Sequence, residues 1–251
     1  MMLHAAAAGT LLAVPAAWPV ALGLLLADHA ALAGLGMLAG SALLGPSLTR
    51  LPASAGPVVA LTFDDGPHPV RTPQVLDLLD RAGARASFFC VGRRAERHPD
   101  LVADIVARGH SVENHSFDHA LMFAARGPWA LRRDILRAQA VLAAAAGTPP
   151  RFMRAPFGIR SPLLDPALAG TGLIHAGWTR RGRDTVCADA ATVLRRLTDR
   201  LGAGEVLLLH DATSAVAADG RPVVLEVLPR LLATLAARGL RASSLREAVA
   251  G

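Results

Sequence analysis

A chain of 251 residues is long enough to bury a substantial core, and 52% apolar against 18% charged residues excludes a disordered or fibrous protein. The formal charge is +6, all 26 basic residues are Arg, and the excess is spread along the chain rather than gathered in an arm. With no Tyr and only 4% aromatics there is little to stack on bases, so no nucleic-acid partner is expected, and two cysteines, Cys90 and Cys187, exclude a disulfide framework.

The mean hydropathy of +0.37 is concentrated at the N-terminus. Leu3 to Leu26 and Ala30 to Leu48 carry no formal charge and are separated by Ala27, Asp28 and His29. Each run approaches the ~20 residues that cross a bilayer as a helix, so residues 3–48 are expected to meet a membrane as a two-helix hairpin with its turn at 27–29. Pro15 and Pro19 lie in the first run, where a membrane helix tolerates them. One spanning helix or a cleaved signal are the alternatives, and Met1-Met2-Leu3-His4 lacks the positive region a signal wants. Arg50 is the only nearby basic residue, which leaves the orientation open. The expected organisation is an anchor over 1–50, a linker over 51–56 (Leu-Pro-Ala-Ser-Ala-Gly) and a folded domain over 57–251.

From there two patterns alternate. Val58 to Phe63 is an apolar run of strand length, and the helix after it has Thr72 as cap, Pro73 at its first position and a stripe of Val75, Leu78, Leu79 and Ala82. Ala86 to Val91 is the next strand, Leu101 to Arg108 a helix closed by Gly109, and His110 to Asn114 a third strand. A helix over Pro128 to Ala146 stops at Gly147, and Phe152 to Arg154 is a short strand. Strands over Ile174 to Thr179, Val206 to His210 and Leu240 to Ser243, with helices near 189–201 and 222–237, complete a parallel α/β arrangement. Cys90 and Cys187 read as small core residues, and Asp211 as a cap or loop acid.

Polar residues follow several of these strands directly: Asp64-Asp65-Gly66-Pro67, Asn114 to His119, Arg154 to Phe157, Trp178, and His210-Asp211. In parallel α/β folds the carboxyl ends of strands gather the active site, so segments distant in sequence can converge there. His115 and His119, spaced i, i+4, would aim both imidazoles at one point on a helical turn, a geometry suited to a divalent metal. A carboxylate from Asp64-Asp65 would complete the set, while the neighbouring one faces the water. Each motif alone is also what a surface turn contains.

Taken in order, Thr62-Phe63-Asp64-Asp65-Gly66-Pro67, His115-Ser116-Phe117-Asp118-His119, Arg154-Ala155-Pro156-Phe157-Gly158 and Leu208-Leu209-His210 resemble the polysaccharide deacetylases of the NodB homology type, a carbohydrate esterase family, over roughly residues 57–245. The resemblance implies a distorted (β/α) barrel of about seven strands and hydrolysis of N-acetyl, or O-acetyl, groups on a carbohydrate by a metal-activated water. Asp65, His115 and His119 would hold one divalent metal, Zn first and Co or Ni as alternatives, with Asp64 as general base and Arg154 orienting it. His210 would be the general acid, Leu208 would line the acetyl slot, and the Phe157 backbone N–H would support the oxyanion. The family places an Asp or Trp where it orients the acid His, a role for Asp184 or Trp178. Arg180, Arg181 and Arg183 either meet an anionic substrate group or form an ordinary charged loop. A lipid-linked amino sugar as deformylase or deacetylase substrate, and an inactive glycan-binding barrel, are the competing readings. The location that fits an anchored enzyme of this kind is the bacterial inner membrane. Substrate identity and oligomeric state are not written in the sequence.

Overall fold

The computed structural model describes residues 17–36 and 44–250. Among them are eight strands, β1 (Val58–Asp64), β2 (Ser87–Cys90), β3 (Ser111–Asn114), β4 (Phe152–Met153), β5 (Ile174–His175), β6 (Arg180–Arg181), β7 (Val206–His210) and β8 (Arg241–Ser243). Every strand pairing is parallel, in the order β5-β4-β3-β2-β1-β7-β6, with β8 on the start of β1. The helices are α1 (Trp18–Gly36), α2 (Arg71–Arg81), α3 (Gly92–Arg97), α4 (Pro99–Ala107), α5 (Pro128–Ala146), α6 (Leu164–Leu168), α7 (Ala190–Thr198), α8 (Val223–Ala237) and α9 (Leu245–Ala250). This is the expected curled parallel barrel, with seven strands in the continuous path and helices packed outside.

The period of two along each strand decides what lies inside. In β1, Val59, Leu61 and Phe63 join the core shared with the outer helices, while Val58 and Ala60 pack with Phe89, Phe152, Ala176 and Val206 in the interior. Thr62 and Asp64 share that inner face, and register sets Asp64 opposite His210 on β7. In β7 the same alternation sends Leu207 and Leu209 outward. Phe63 and Phe88, fully buried with ring centroids 5.1 Å apart, hold β1 and β2 to the helical layer, each worth about 1.5–3 kcal/mol on burial.

Segment 47–51 ties the β5 edge of the barrel to the start of β7. Leu48 N–H donates to the His175 carbonyl at 2.8 Å, Gly177 N–H to the Leu48 carbonyl at 2.9 Å, and Leu51 N–H to the Gly204 carbonyl at 2.8 Å. Arg160 fixes the preceding residues, donating to the carbonyls of Gly45 at 2.8 Å and Pro46 at 3.1 Å. Ser47, Leu48 and Thr49 carry no charge, and a charge-free run suits protein interior as well as lipid, which is why the expected anchor extends to here.

Several other expectations change. Helix α1 runs unbroken through Ala27, Asp28 and His29, where a hairpin turn was expected, because none of these breaks a helix as Gly or Pro does. Pro19 stands in its first turn, where a missing N–H is harmless. Among the described residues no helix is long and apolar enough to cross a membrane; residues 3–16 and 37–43 of the expected hairpin lie outside the described residues. Of the run 174–179 only Ile174 and His175 form a strand, β5; Arg180 and Arg181 form the separate strand β6, which sits at the opposite edge of the sheet. Thr72 lies inside α2 rather than capping it, and its hydroxyl donates to Asp211. Asp211 is therefore a fully buried brace beneath the Asp64-Asp65-Gly66 turn, not a loop acid, and burial pushes its carboxyl up to about 7.

Candidate active site

The carboxyl ends of β1, β3, β4 and β7 open into a cleft of ≈ 540 Å³ lined by Asp64, Asp65, His115, His119, Phe157 and His210, with Trp178, Leu208, Arg181, Arg183 and Thr213 around them. Asp64 is the last residue of β1, and Asp65 turns away from it at φ 76. The two neighbouring carboxylates consequently face different partners.

Asp65 meets the histidines. Its Oδ1 lies 3.1 Å from His119 Nε2 and 3.4 Å from His115 Nε2. His115 and His119 do not stand on a helical turn as their spacing suggested: they occupy a non-helical loop in which Ser116 (φ 63) and His119 (φ 50) are left-handed. The loop still brings the two imidazoles together, tilted at 50° with centroids 4.9 Å apart. Asn114 Oδ1 accepts from Ser116 N–H at 2.9 Å and Ser116 Oγ from His119 N–H at 3.1 Å, which satisfies the backbone of the unusual turn.

This donor set fits a divalent cation. The ligand atoms of Asp65, His115 and His119 lie within 4.8 Å of one another. His115 Nδ1 faces the Arg154 carbonyl at 2.9 Å, so Nδ1 carries the proton and the Nε2 lone pair points into the site. Thr213, which no sequence pattern marks, donates its hydroxyl to the other Asp65 oxygen. Burial opposes ionisation of Asp65, yet the His115 and His119 imidazoles set against it outweigh burial and hold its carboxyl well below the usual range.

Asp64 meets Arg154. The guanidinium, fully buried inside the barrel, donates from Nη1 to Asp64 Oδ1 at 2.6 Å and to Thr62 Oγ at 2.9 Å. Its Nε and Nη2 reach the carbonyls of Ala176 (3.2 Å) and Gly177 (2.9 Å), and its plane lies over the Phe89 ring at 4.0 Å. Each group of the fork is thus fixed, and Asp64 with it. The free Asp64 Oδ2 stands 3.8 Å from His115 Nε2.

His210 meets Asp184. Oδ1 of the fully buried Asp184 lies 2.9 Å from His210 Nδ1, and its Oδ2 accepts from His210 backbone N–H at 2.8 Å. Burial alone would lower the imidazole, but the Asp184 carboxylate outweighs it and pushes His210 up to about 9. Of the two residues considered for this orienting position, Asp184 takes it. Trp178 instead covers Arg154, 5.6 Å from its guanidinium, and packs on Gly158, whose positive φ of 70 and lack of a side chain permit the contact. Phe157, itself at φ 59, tilts its ring over His119 at 4.6 Å, and Leu208 presents the inner face of β7 to the cleft. Arg180 is withdrawn: it pairs with Glu205 and donates to the Asp199 and Arg200 carbonyls.

A parallel barrel whose strand ends converge on such a set is that of a metal-dependent hydrolase. Comparison with known proteins gives the particular kind. The polysaccharide deacetylase family matches residues 52–173. A chitooligosaccharide deacetylase of Sinorhizobium fredii is 34% identical over 200 residues, 77% of this chain and 93% of that protein. A peptidoglycan-N-acetylglucosamine deacetylase of Bacillus cereus is 31% identical, covering 76% and 87% respectively. In structure, a family 4 carbohydrate esterase from Streptomyces lividans in complex with acetate superposes with a TM-score of 0.67 at 33% identity, over 74% of this chain and 92% of its own. The chain belongs to the polysaccharide deacetylase family, and is a hydrolase of carbon–nitrogen bonds other than peptide bonds.

Proposed function

We propose that this enzyme removes the acetyl group from N-acetylated amino sugars of a glycan, releasing acetate and a free amine. The observation that carries the reading is the placing of two differently held groups on either side of one cation site: Asp64 tied to Arg154, and His210 tied to Asp184. Asp65, His115 and His119 would hold one divalent cation, with zinc the best match to two imidazoles and a carboxylate. That cation supplies Lewis acidity for the acetyl carbonyl and acidity for the attacking water.

The chain's own groups do the rest. Asp64 takes a proton from the water as its oxygen bonds to the acetyl carbon, and Arg154 keeps the carboxylate aimed while it does so. His210, held cationic by Asp184, gives its proton to the sugar nitrogen as the carbon–nitrogen bond breaks, so the leaving group departs as the neutral amine. The Phe157 N–H supports the carbonyl oxygen, and Leu208 borders the acetyl methyl.

The apolar N-terminal region is read as the attachment of the enzyme to a membrane, the bacterial inner membrane being the location we propose. Its composition, with Asp28 the one formally charged side chain between residues 3 and 48, supports this, as do Trp18, Val20, Leu22, Leu24 and Leu26, which α1 leaves exposed. Flotation of the full chain with phospholipid vesicles tests it, and recovery only in lipid-free fractions removes it. For the activity, the test is acetate release by the zinc-loaded enzyme from N-acetylglucosamine oligomers and peptidoglycan. The expected result is acetate from at least one of them, lost in Asp64→Ala. Zinc bound without acetate from any substrate overturns the reading.

A further inference from the structure

Four arginines outside the catalytic machinery gather beside the cleft. Arg181, Arg183, Arg195 and Arg196 border a second depression of ≈ 670 Å³, together with Arg180 and Asp199. Arg181 and Arg183 also border the catalytic cleft, so the two hollows share a wall. Arg180 is spent on Glu205, and among the described residues none of the other four is within ion-pair distance of a carboxylate. Asp184, the buried acid that follows Arg183 in the chain, has both oxygens committed to His210.

The four are placed by the fold. Arg181 is the last residue of β6 and lies over Trp178, 5.9 Å from its ring. Arg183 is in the left-handed region (φ 59), a costly conformation for a side chain of this size. Gly182 between them packs on Val193 of α7 and leaves no room for a Cβ. Arg196 donates to the Gly182 carbonyl at 3.2 Å, and Arg195 to Thr192 at 3.4 Å. Like charges repel by roughly 1 kcal/mol at 4 Å even in water, so such a group is most comfortable with an anion among its members. Planar guanidinium forks match a carboxylate or a phosphate in shape as well as charge.

We infer that this arginine basin is a substrate subsite for an anionic group, a carboxylate or phosphate ester, carried by the glycan next to the N-acetylated sugar in the cleft. The inference rests on the deacetylase reading and adds to it a substrate class: acidic rather than neutral amino-sugar glycans. A lactyl carboxylate on an adjoining sugar, or a phosphate at the reducing end, both supply the required chemistry.

The test compares kcat/KM for acetate release from three substrates: neutral N-acetylglucosamine oligomers, peptidoglycan glycan strands bearing lactyl carboxylates, and an N-acetylated disaccharide 1-phosphate. Wild type and Arg181→Gln/Arg183→Gln are measured at low and high salt. A charge-assisted hydrogen bond is worth about 1.5–3 kcal/mol, so the double variant should fall at least about tenfold further on an acidic substrate than on the neutral one. The loss should appear in KM, wild-type preference for the acidic substrate should shrink with salt, and the corresponding Lys pair should recover part of it. The carboxylate and phosphate arms show which source the basin takes. Acetate release that falls equally on neutral and acidic substrates, or no salt-sensitive preference in the wild type, overturns the subsite and leaves the deacetylase reading standing. No acetate from any of the three overturns the deacetylase reading and the subsite with it.

Discussion

Asp184→Asn separates the charge of this residue from its shape. Asparagine keeps the volume, and its carbonyl oxygen can still accept the His210 backbone N–H that Asp184 accepts at 2.8 Å. Its amide group then faces Nδ1, the atom 2.9 Å from the carboxylate, which favours Nδ1 as an acceptor and so the neutral imidazole. With the carboxylate gone, burial is the dominant influence on His210, and it acts downward.

A displacement from the ordinary 6.5 up to about 9 is worth about 3 kcal/mol in favour of the imidazolium, at 1.36 kcal/mol per pH unit. If the variant returns His210 to its ordinary value, the cationic fraction at pH 8 drops from about nine-tenths to about three-hundredths, a loss of about 30-fold. At pH 6 both forms are mostly cationic and the loss is less than about twofold. The raised value also means that the pair stabilises the fold fully below pH 6.5, with the contribution disappearing as pH climbs through about 9. The assay is a kcat/KM profile of acetate release from pH 5.5 to 9.5 for wild type and Asp184→Asn, with a urea midpoint at each pH. The expected profile loses its alkaline side first, shifting that limb by about 1–3 pH units. A variant that loses the same factor at every pH, with its alkaline limb unmoved, refutes the assignment of His210 as a proton donor tuned by Asp184.

Other perturbations read other parts of the site. Thr213→Val deprives one Asp65 oxygen of its hydroxyl donor and should weaken zinc binding by about 10–100-fold in calorimetric titration, as loss of an outer partner of a metal ligand does; unaltered affinity counts against the ligand role of Asp65. Arg154→Leu leaves the Asp64 carboxylate buried without its cation and should lower unfolding free energy by about 3–5 kcal/mol in urea titration at pH 7. A loss below about 1 kcal/mol there shows that water replaces the guanidinium. Gly158→Ala puts a methyl against the Trp178 ring at a positive φ and should cost at least about 1–2 kcal/mol, visible as a lower Tm together with reduced kcat/KM. Wild-type values for both show the Gly158–Trp178 contact to be dispensable.

What could be read before the fold was known follows from where each signal is local. The strands announced themselves because their inner and outer faces are both buried, which makes Val58 to Phe63 and Val206 to Leu209 nearly continuous apolar runs. The pairing of Asp64 with Arg154 is 90 residues long-range, and only order within the motifs suggested it. Thr213 and Thr62 escaped altogether as functional residues, since a hydroxyl three positions past His210 or two before Asp64 has no spacing to distinguish it; its role exists only once β1 and β7 lie side by side. Residues 47–50 were hard to place for the opposite reason: the lack of charge up to Arg50 was plain, but composition does not say whether the surroundings are lipid or barrel.

The misreading of His115 and His119 is the most instructive, because a helical turn would have satisfied the local rules better than what forms. Among the described residues six non-glycine residues adopt positive φ, and five of them, Asp65, Ser116, His119, Phe157 and Arg183, line or shape the cleft. Each such conformation costs of the order of 1–3 kcal/mol and survives only where its surroundings over-determine it. Here those surroundings are identifiable: Asn114 and Ser116 side chains replace lost backbone partners, Asp134 Oδ1 accepts the Phe117 N–H at 2.8 Å, and the Arg154 carbonyl holds the His115 ring at 2.9 Å. A regular helix would have set the imidazoles one above the other on its own face; the left-handed turn instead folds both back on the Asp65 carboxylate at the end of β1. The strain is thus concentrated where imidazole direction matters more than backbone comfort, so relieving it by Ser116→Gly should be tolerated by the fold while losing the Oγ bond that positions His119. Circular dichroism and Tm near wild type together with weakened zinc binding is the expected outcome, and zinc affinity equal to wild type shows that the turn, not the hydroxyl, sets the direction of His119.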